Sequence, residues 1–133
     1  INVAGHRLGT REIEEAISAH AAIAEVAVIG AADQLKGQVP VAFAVLKDAR
    51  LIASREGRMK LEGEVMKTVD QQLGAIGRPS RVHFVTLLPK TRSGKVLRRS
   101  IQALCEGRDP GDLTTIEDAS ALQQIRDALA GAT

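Results

Sequence analysis

The sequence predicts an α+β fold in which a small three-stranded sheet is covered by helices. Three short runs rich in β-branched residues, four stretches with apolar residues at helical spacing, and a chain order in which strands and helices do not strictly alternate carry this expectation. With 133 residues, 44% of them hydrophobic and 26% charged, the chain is sized for one domain with a genuine core.

Residues 1–3 read as the end of a strand, and Gly5-His6-Arg7-Leu8-Gly9 as a glycine-bounded loop. Thr10 is expected to cap the following helix. Glu12, Glu14 and Glu15 suit its positive end, Ile13, Ala16 and Ile17 form its buried face, and it should fade near His20. Residues 24–29 and 39–46 read as strands, with Gly30 and Gly37 as punctuation between them. Residues 47–58 read as a surface connection whose end starts the next helix. In that helix Leu61, Val65, Val69 and Leu73 fall every fourth residue and Ile76 three further on, a single apolar stripe that belongs to the core and ends at Gly77 and Pro79.

Residues 81–87 have strand composition, with Val82, Phe84 and Thr86 on one side, His83, Val85 and Leu87 on the other, and Pro89 closing the run. A helix from about Lys95 should bury Leu97, Ile101 and Leu104 and stop at Gly107, with Pro110 and Gly111 close behind. Asp118 is placed to cap a last short helix carrying Leu122, Ile125 and Leu129.

Composition narrows the function classes. Two Phe with no Tyr or Trp weigh against single-stranded nucleic-acid binding, and a net charge of +2 weighs against a large phosphate-tracking surface. The lone Cys105 cannot close an internal disulfide, which favours a reducing compartment and hence the cytoplasm. It reads as a packed thiol beside Leu104. No apolar stretch is long enough to cross a bilayer, and nothing resembles a signal peptide. His20 and His83 lack ligand spacing, so no metal site is expected. The chain enters patterned sequence directly at Ile1 and reads as a fragment of a longer protein.

The chemistry concentrates in Pro89-Lys90-Thr91-Arg92-Ser93-Gly94-Lys95. Lys90, Arg92, Lys95, Arg98 and Arg99 stand close together with no acid among them. Cations at a helix start oppose the macrodipole, at a cost of a few tenths to about 1 kcal/mol, so helix stability is not the reason for Lys95. An anion at the helix mouth would make these terms favourable. Gly94 opens backbone conformations closed to other residues, which suggests a hinge on which Lys95 could swing. A Walker A loop is ruled out, since Pro89 and Val96 stand where that pattern needs Gly and Ser or Thr. The bland alternative is a stand-alone basic adaptor that binds nucleic acid or an acidic protein through residues 90–99.

The run from Pro89 to Lys95 closely resembles the last core motif of AMP-forming acyl-CoA synthetases. Gly5-His6-Arg7-Leu8-Gly9 with Glu12-Ile13-Glu14 resembles the motif just after their interdomain hinge, in the family's order and at about its separation. The resemblance covers nearly all of residues 1–133, which would be the small C-terminal lid domain, with the large N-terminal adenylate-binding domain lying outside the chain. The Thr91-Arg92 variant and the Gly5 loop look like the short-chain, acetyl- and propionyl-CoA synthetase branch. The stretch Glu106-Gly107-Arg108-Asp109-Pro110-Gly111-Asp112-Leu113-Thr114-Thr115-Ile116-Glu117-Asp118 looks closer to the propionyl type.

The resemblance implies a two-step enzyme that joins a short-chain carboxylate to ATP, with Mg2+ held mainly by the absent domain, and then passes the acyl group to coenzyme A. The small domain rotates against its own large domain between the steps. Lys95 matches the adenylation lysine, with Arg92, Ser93 and Gly94 beside it as binding residues. Gly5 matches the glycine lining the pantetheine tunnel, Arg7 a contact to the adenylate phosphate, and His6 the same loop. Acetylation of Lys95 by a lysine acetyltransferase, reversed by a deacetylase, would erase its charge. The family's basic contact to the coenzyme A nucleotide aligns with Asp70, one turn from Lys67, and stays unassigned.

Overall fold

The computed structural model describes residues 2–3, 6–7, 9–33 and 37–131. The elements in chain order are β1 (Asn2–Val3), β2 (His6–Arg7), α1 (Thr10–Ser18), β3 (Ile23–Asp33), β4 (Gly37–Leu46), a 3-10 turn (Ala49–Ile52) and α2 (Arg55–Leu73). A second 3-10 turn (Ala75–Gly77), β5 (Arg81–Val85), α3 (Arg98–Cys105) and α4 (Ser120–Ala130) follow.

The three predicted strands form the body of the sheet. β3 and β4 pair antiparallel, with Ile29 opposite Val41 and a register shift between Ile23 and Glu25, and β5 runs parallel to β4 with Val41 opposite Arg81. A parallel neighbour requires a crossover, and α2 supplies it between β4 and β5. β1 pairs with β4 at Gly37 and with β2, where Val3 faces His6. Residues 6–7, expected within a loop, therefore extend the sheet by a short ladder.

β3 and β4 outrun their predicted lengths. Gly30 lies opposite Pro40 and Gly37 opposite Asp33, so the glycines expected as punctuation are inside the strands. Each further residue satisfies backbone groups in the ladder, and this outweighs the weak strand preference of glycine.

Helices cover both faces. α1 and α2 bury Ile13, Ala16, Ile17, Val65 and Val69 against Val28, Ala42, Ala44 and Val82. On the opposite face α3 and α4 bury Ile101 and Ile125 against Ala27, Ile29, Val41, Phe43 and Val85. A sheet covered twice needs apolar side chains pointing both ways, which is why Val41, Ala42, Phe43 and Ala44 are all buried in succession.

Several helix ends differ from expectation. Thr10 is the first residue of α1 and Gly9 precedes it with no side-chain cap. α2 starts after Ser54, whose Oγ accepts from the Gly57 N–H at 3.0 Å, and stops at Gly74, where φ is +77°. That glycine, not Gly77, ends the helix, because a left-handed residue breaks the helical path at little cost when it has no Cβ. Asp118 does serve α4: its Oδ1 accepts from the Ser120 N–H at 2.9 Å and from the Ser120 hydroxyl at 2.7 Å. α3 begins at Arg98 instead of Lys95. Ile101 is buried as predicted, whereas Leu97 and Leu104 are half-buried.

Candidate active site

α3 starts late because residues 90–96 fold back on themselves. Lys90 bridges Val96 in antiparallel sense, the Thr91 N–H donates to the Lys95 carbonyl at 2.8 Å, and the Gly94 N–H donates to the Thr91 carbonyl at 2.9 Å. Gly94 has φ +92°, the left-handed residue of a three-residue hairpin loop. Thr91 Oγ1 accepts from the Lys95 N–H at 3.1 Å and shares a 2.9 Å hydrogen bond with the Ser93 hydroxyl. The freedom expected of a Ser-Gly hinge is thus taken up by a tight hydrogen-bonded turn.

The outer edge of the hairpin is closed by the segment before α4. The Arg92 N–H donates to the Thr115 carbonyl at 3.2 Å, the Glu117 N–H donates to the Lys90 carbonyl at 2.9 Å, and Thr91 bridges Ile116. On the inner side the Leu97 N–H donates to the Pro89 carbonyl at 2.9 Å, which fastens the hairpin to the start of α3.

The five cations divide into two sets. Lys90 is paired with Glu25, and Arg98 is gripped by Glu14, with Nη2 at 2.7 Å from Oε1 and Nε at 3.1 Å from Oε2. Arg92, Lys95 and Arg99 are exposed and have no ion-pair partner among the described residues. Lys95 borders a concavity of about 460 Å³ together with residues 96–100. Arg92 and Ser93 line a neighbouring hollow of about 370 Å³ with Thr91 and Thr115. The arrangement presents free positive charge on a braced turn, beside space for an anion.

Gly5 lies outside the described residues, and His6 and Arg7 are described here only as the backbone of β2. β2 leads through Gly9 into α1, and α1 carries the Glu14 that holds Arg98.

Other titratable groups have structural explanations. His83 is buried and stacks on Phe43 with ring centroids 5.0 Å apart. Burial, followed by the charge of Arg81, pushes it down to about 4. Cys105 is half-buried against the core, and burial and then the charge of Glu106 push its thiol up to about 11, which disfavours the nucleophilic thiolate. His20 Nδ1 accepts from the Ala22 N–H at 3.1 Å, fixing the turn after α1. Asp70 is occupied by Arg78, whose Nε lies 2.9 Å from Oδ1. Among the described residues no group of three or more His, Cys, Asp or Glu could hold a metal ion, and no helix is long and apolar enough to cross a membrane.

Sequence reasoning placed Glu14 on the first helix and residues 115–117 in the stretch before the last one, but missed the pairing of Glu14 with Arg98, that of Glu25 with Lys90, and the bonding of residues 115–117 to the hairpin. Glu14 had one legible signal. It lies three residues before Ile17 and four after Thr10, so it borders the buried stripe of α1, where a carboxylate calls for a partner.

A family model described as the AMP-binding enzyme C-terminal domain matches residues 12–95. The chain belongs to this family. Over 129 residues it is 62% identical to a propionate–CoA ligase of Salmonella typhimurium, covering 97% of this chain and 20% of the relative. An acetyl-coenzyme A synthetase of Pyrobaculum arsenaticum is 46% identical over 128 residues, covering 96% of this chain and 18% of the relative. The crystal structure of an acyl-CoA synthetase from Brucella canis superposes with a TM-score of 0.63 at 34% identity, over 71% of this chain and 17% of that one. The chain spans about a fifth of the length of the curated relatives it matches. Within this AMP-binding C-terminal domain the family match ends at Lys95, so α3 and α4 lie beyond it.

Proposed function

We propose that this domain is the mobile lid of an AMP-forming acyl-CoA ligase acting on a short-chain carboxylate, propionate in preference to acetate. The observation that carries the reading is the 62% identity to a propionate–CoA ligase over 97% of the chain, with the free lysine at the end of the family match. In the first step a carboxylate oxygen attacks the α-phosphorus of ATP, the bond to the bridging oxygen breaks, and pyrophosphate leaves. In the second the thiol of coenzyme A attacks the acyl carbonyl, its proton passes to solvent or base, and AMP leaves.

Lys95 is the catalytic residue of the first step, placing its ammonium against the carboxylate and the nucleotide, with Arg92, Ser93 and Gly94 forming the rim. A unit charge at about 4 Å is worth about 1 kcal/mol in water and about 4 kcal/mol at an effective dielectric near 20, so closure onto the large domain gives Lys95 its power. Because the turn around Gly94 is braced, the whole domain carries Lys95 in and out. Rotation then brings Gly5, His6 and Arg7 to the same place. Gly5 leaves room for the pantetheine thiol, and Arg7 offers a permanently charged fork to the adenylate phosphate.

Mg2+ entering with ATP would be held mainly by the large domain, where it would supply charge neutralisation to the phosphates. A cytoplasmic location fits the free Cys105. Acetylation of Lys95, which is exposed, would remove the charge and silence the first step. In the full-length ligase, Gly5→Leu should leave ATP–pyrophosphate exchange intact and block acyl transfer to coenzyme A. Loss of exchange instead would remove Gly5 from the second step. A kcat/KM favouring acetate over propionate would overturn the substrate assignment.

A further inference from the structure

We infer that Glu14 is a positioning residue for Lys95, acting through Arg98. The inference rests on the reading of Lys95 as the lysine of the first step.

β3 is the edge of the sheet, with β4 as its strand partner. Along its open side, side chains meet the alternate backbone groups that a further strand would have taken. The Val28 N–H donates to Glu14 Oε2 at 2.8 Å, the Gly30 carbonyl accepts from Gln102 Nε2 at 2.9 Å, and the Ala32 N–H donates to Glu106 Oε2 at 3.1 Å. Gln102 belongs to α3 and Glu106 follows it directly, so the later part of α3 is laid along the β3 edge.

The start of α3 is fixed differently. Arg98, its first residue, is tied to Glu14 of α1 by Nε and Nη2, and Glu14 is in turn held by the Val28 N–H. The Glu14 side chain is 14% exposed, and that of Arg98 is 43% exposed. One carboxylate thus joins α1, the sheet edge and the mouth of α3.

Lys95 precedes Arg98 by three residues, and the intervening Leu97 is bonded to Pro89 across the hairpin. Whatever fixes the first turn of α3 therefore fixes the hairpin that carries Lys95. The charge of Arg98 also opposes the α3 dipole and borders the same concavity as Lys95. Glu14 neutralises that guanidinium and turns it into a strut. Without the carboxylate, Arg98 is a loose cation competing with Lys95 for any anion in the concavity.

The test uses the full-length ligase and reads the two half-reactions separately. Glu14→Gln keeps a carbonyl oxygen for the Val28 N–H but removes the charge, and Arg98→Gln removes the strut while leaving the Glu14–Val28 bond. Each should lower ATP–pyrophosphate exchange about ten-fold, while conversion of supplied acyl-adenylate to thioester changes less than about two-fold, and the double variant should be no worse than either single one. Equal losses in both half-reactions, additive losses, or unchanged exchange would overturn the inference. If Glu14→Gln does not fold, Arg98→Gln carries the same comparison. Lys95→Ala, measured alongside, separates the two levels. If it spares exchange, the reading of Lys95 fails and the positioning role with it. If it abolishes exchange while Glu14→Gln and Arg98→Gln do not, only the role of Glu14 fails.

Discussion

Gly94→Ala tests the braced turn directly. Gly94 has φ +92°, and a Cβ added there would meet no atom within 4 Å, so the substitution carries a conformational cost and no clash. Holding an L-residue in the left-handed region costs roughly 1–2 kcal/mol. Gly63 in α2 is the matched control. It also has open space around its added Cβ but is helical, so Gly63→Ala should stabilise by about 0.5–1 kcal/mol. Urea denaturation of the two variants of this 133-residue chain should therefore move the midpoints in opposite directions. If Gly94→Ala is neutral or stabilising while Gly63→Ala behaves as expected, the hairpin around Lys95 is not a positive-φ turn, and its bracing is wrong.

Two further outcomes follow from groups shifted by desolvation. His83, held near 4 in the fold against an ordinary value near 6.5, binds fewer protons folded than unfolded between those values, so stability falls as pH drops through that window, by up to about 3 kcal/mol. His83→Phe keeps a ring against Phe43 and should flatten the pH dependence of the urea midpoint above pH 5; an unchanged slope would assign it to other groups. The Cys105 thiol, pushed up to about 11, should resist iodoacetamide at pH 8 until the chain unfolds, and rapid stoichiometric labelling of the folded chain would contradict its packed state.

Where local pattern and tertiary packing agree, the elements were legible in the sequence. The stripe Leu61, Val65 and Val69 became the buried face of α2, and the alternation of Val82 with His83 and Val85 separated the two faces of the sheet as expected. Where the deciding partner is remote, the pattern misled. Gly30 is a strand residue because residues of β4 pair across from it, and residues 6–7 form a strand because β1 is there to receive them. The start of α3 was misplaced because the cross-hairpin bonds of Thr91 and Leu97 outweigh the helical tendency of the residues after Gly94. The candidate site was legible as a motif at Lys95, but the distinction between its free and paired cations was not. Glu14 and Arg98 are 84 positions apart, and no local rule joins them.

On the proposed reading, Lys95 acts in one half-reaction and is absent from the other. In the full-length ligase, Lys95→Ala should cut ATP–pyrophosphate exchange by about a thousand-fold, the equivalent of about 4 kcal/mol, while supplied acyl-adenylate still passes to coenzyme A at nearly the wild-type rate. Equal loss of both half-reactions, or exchange left intact, would contradict the account.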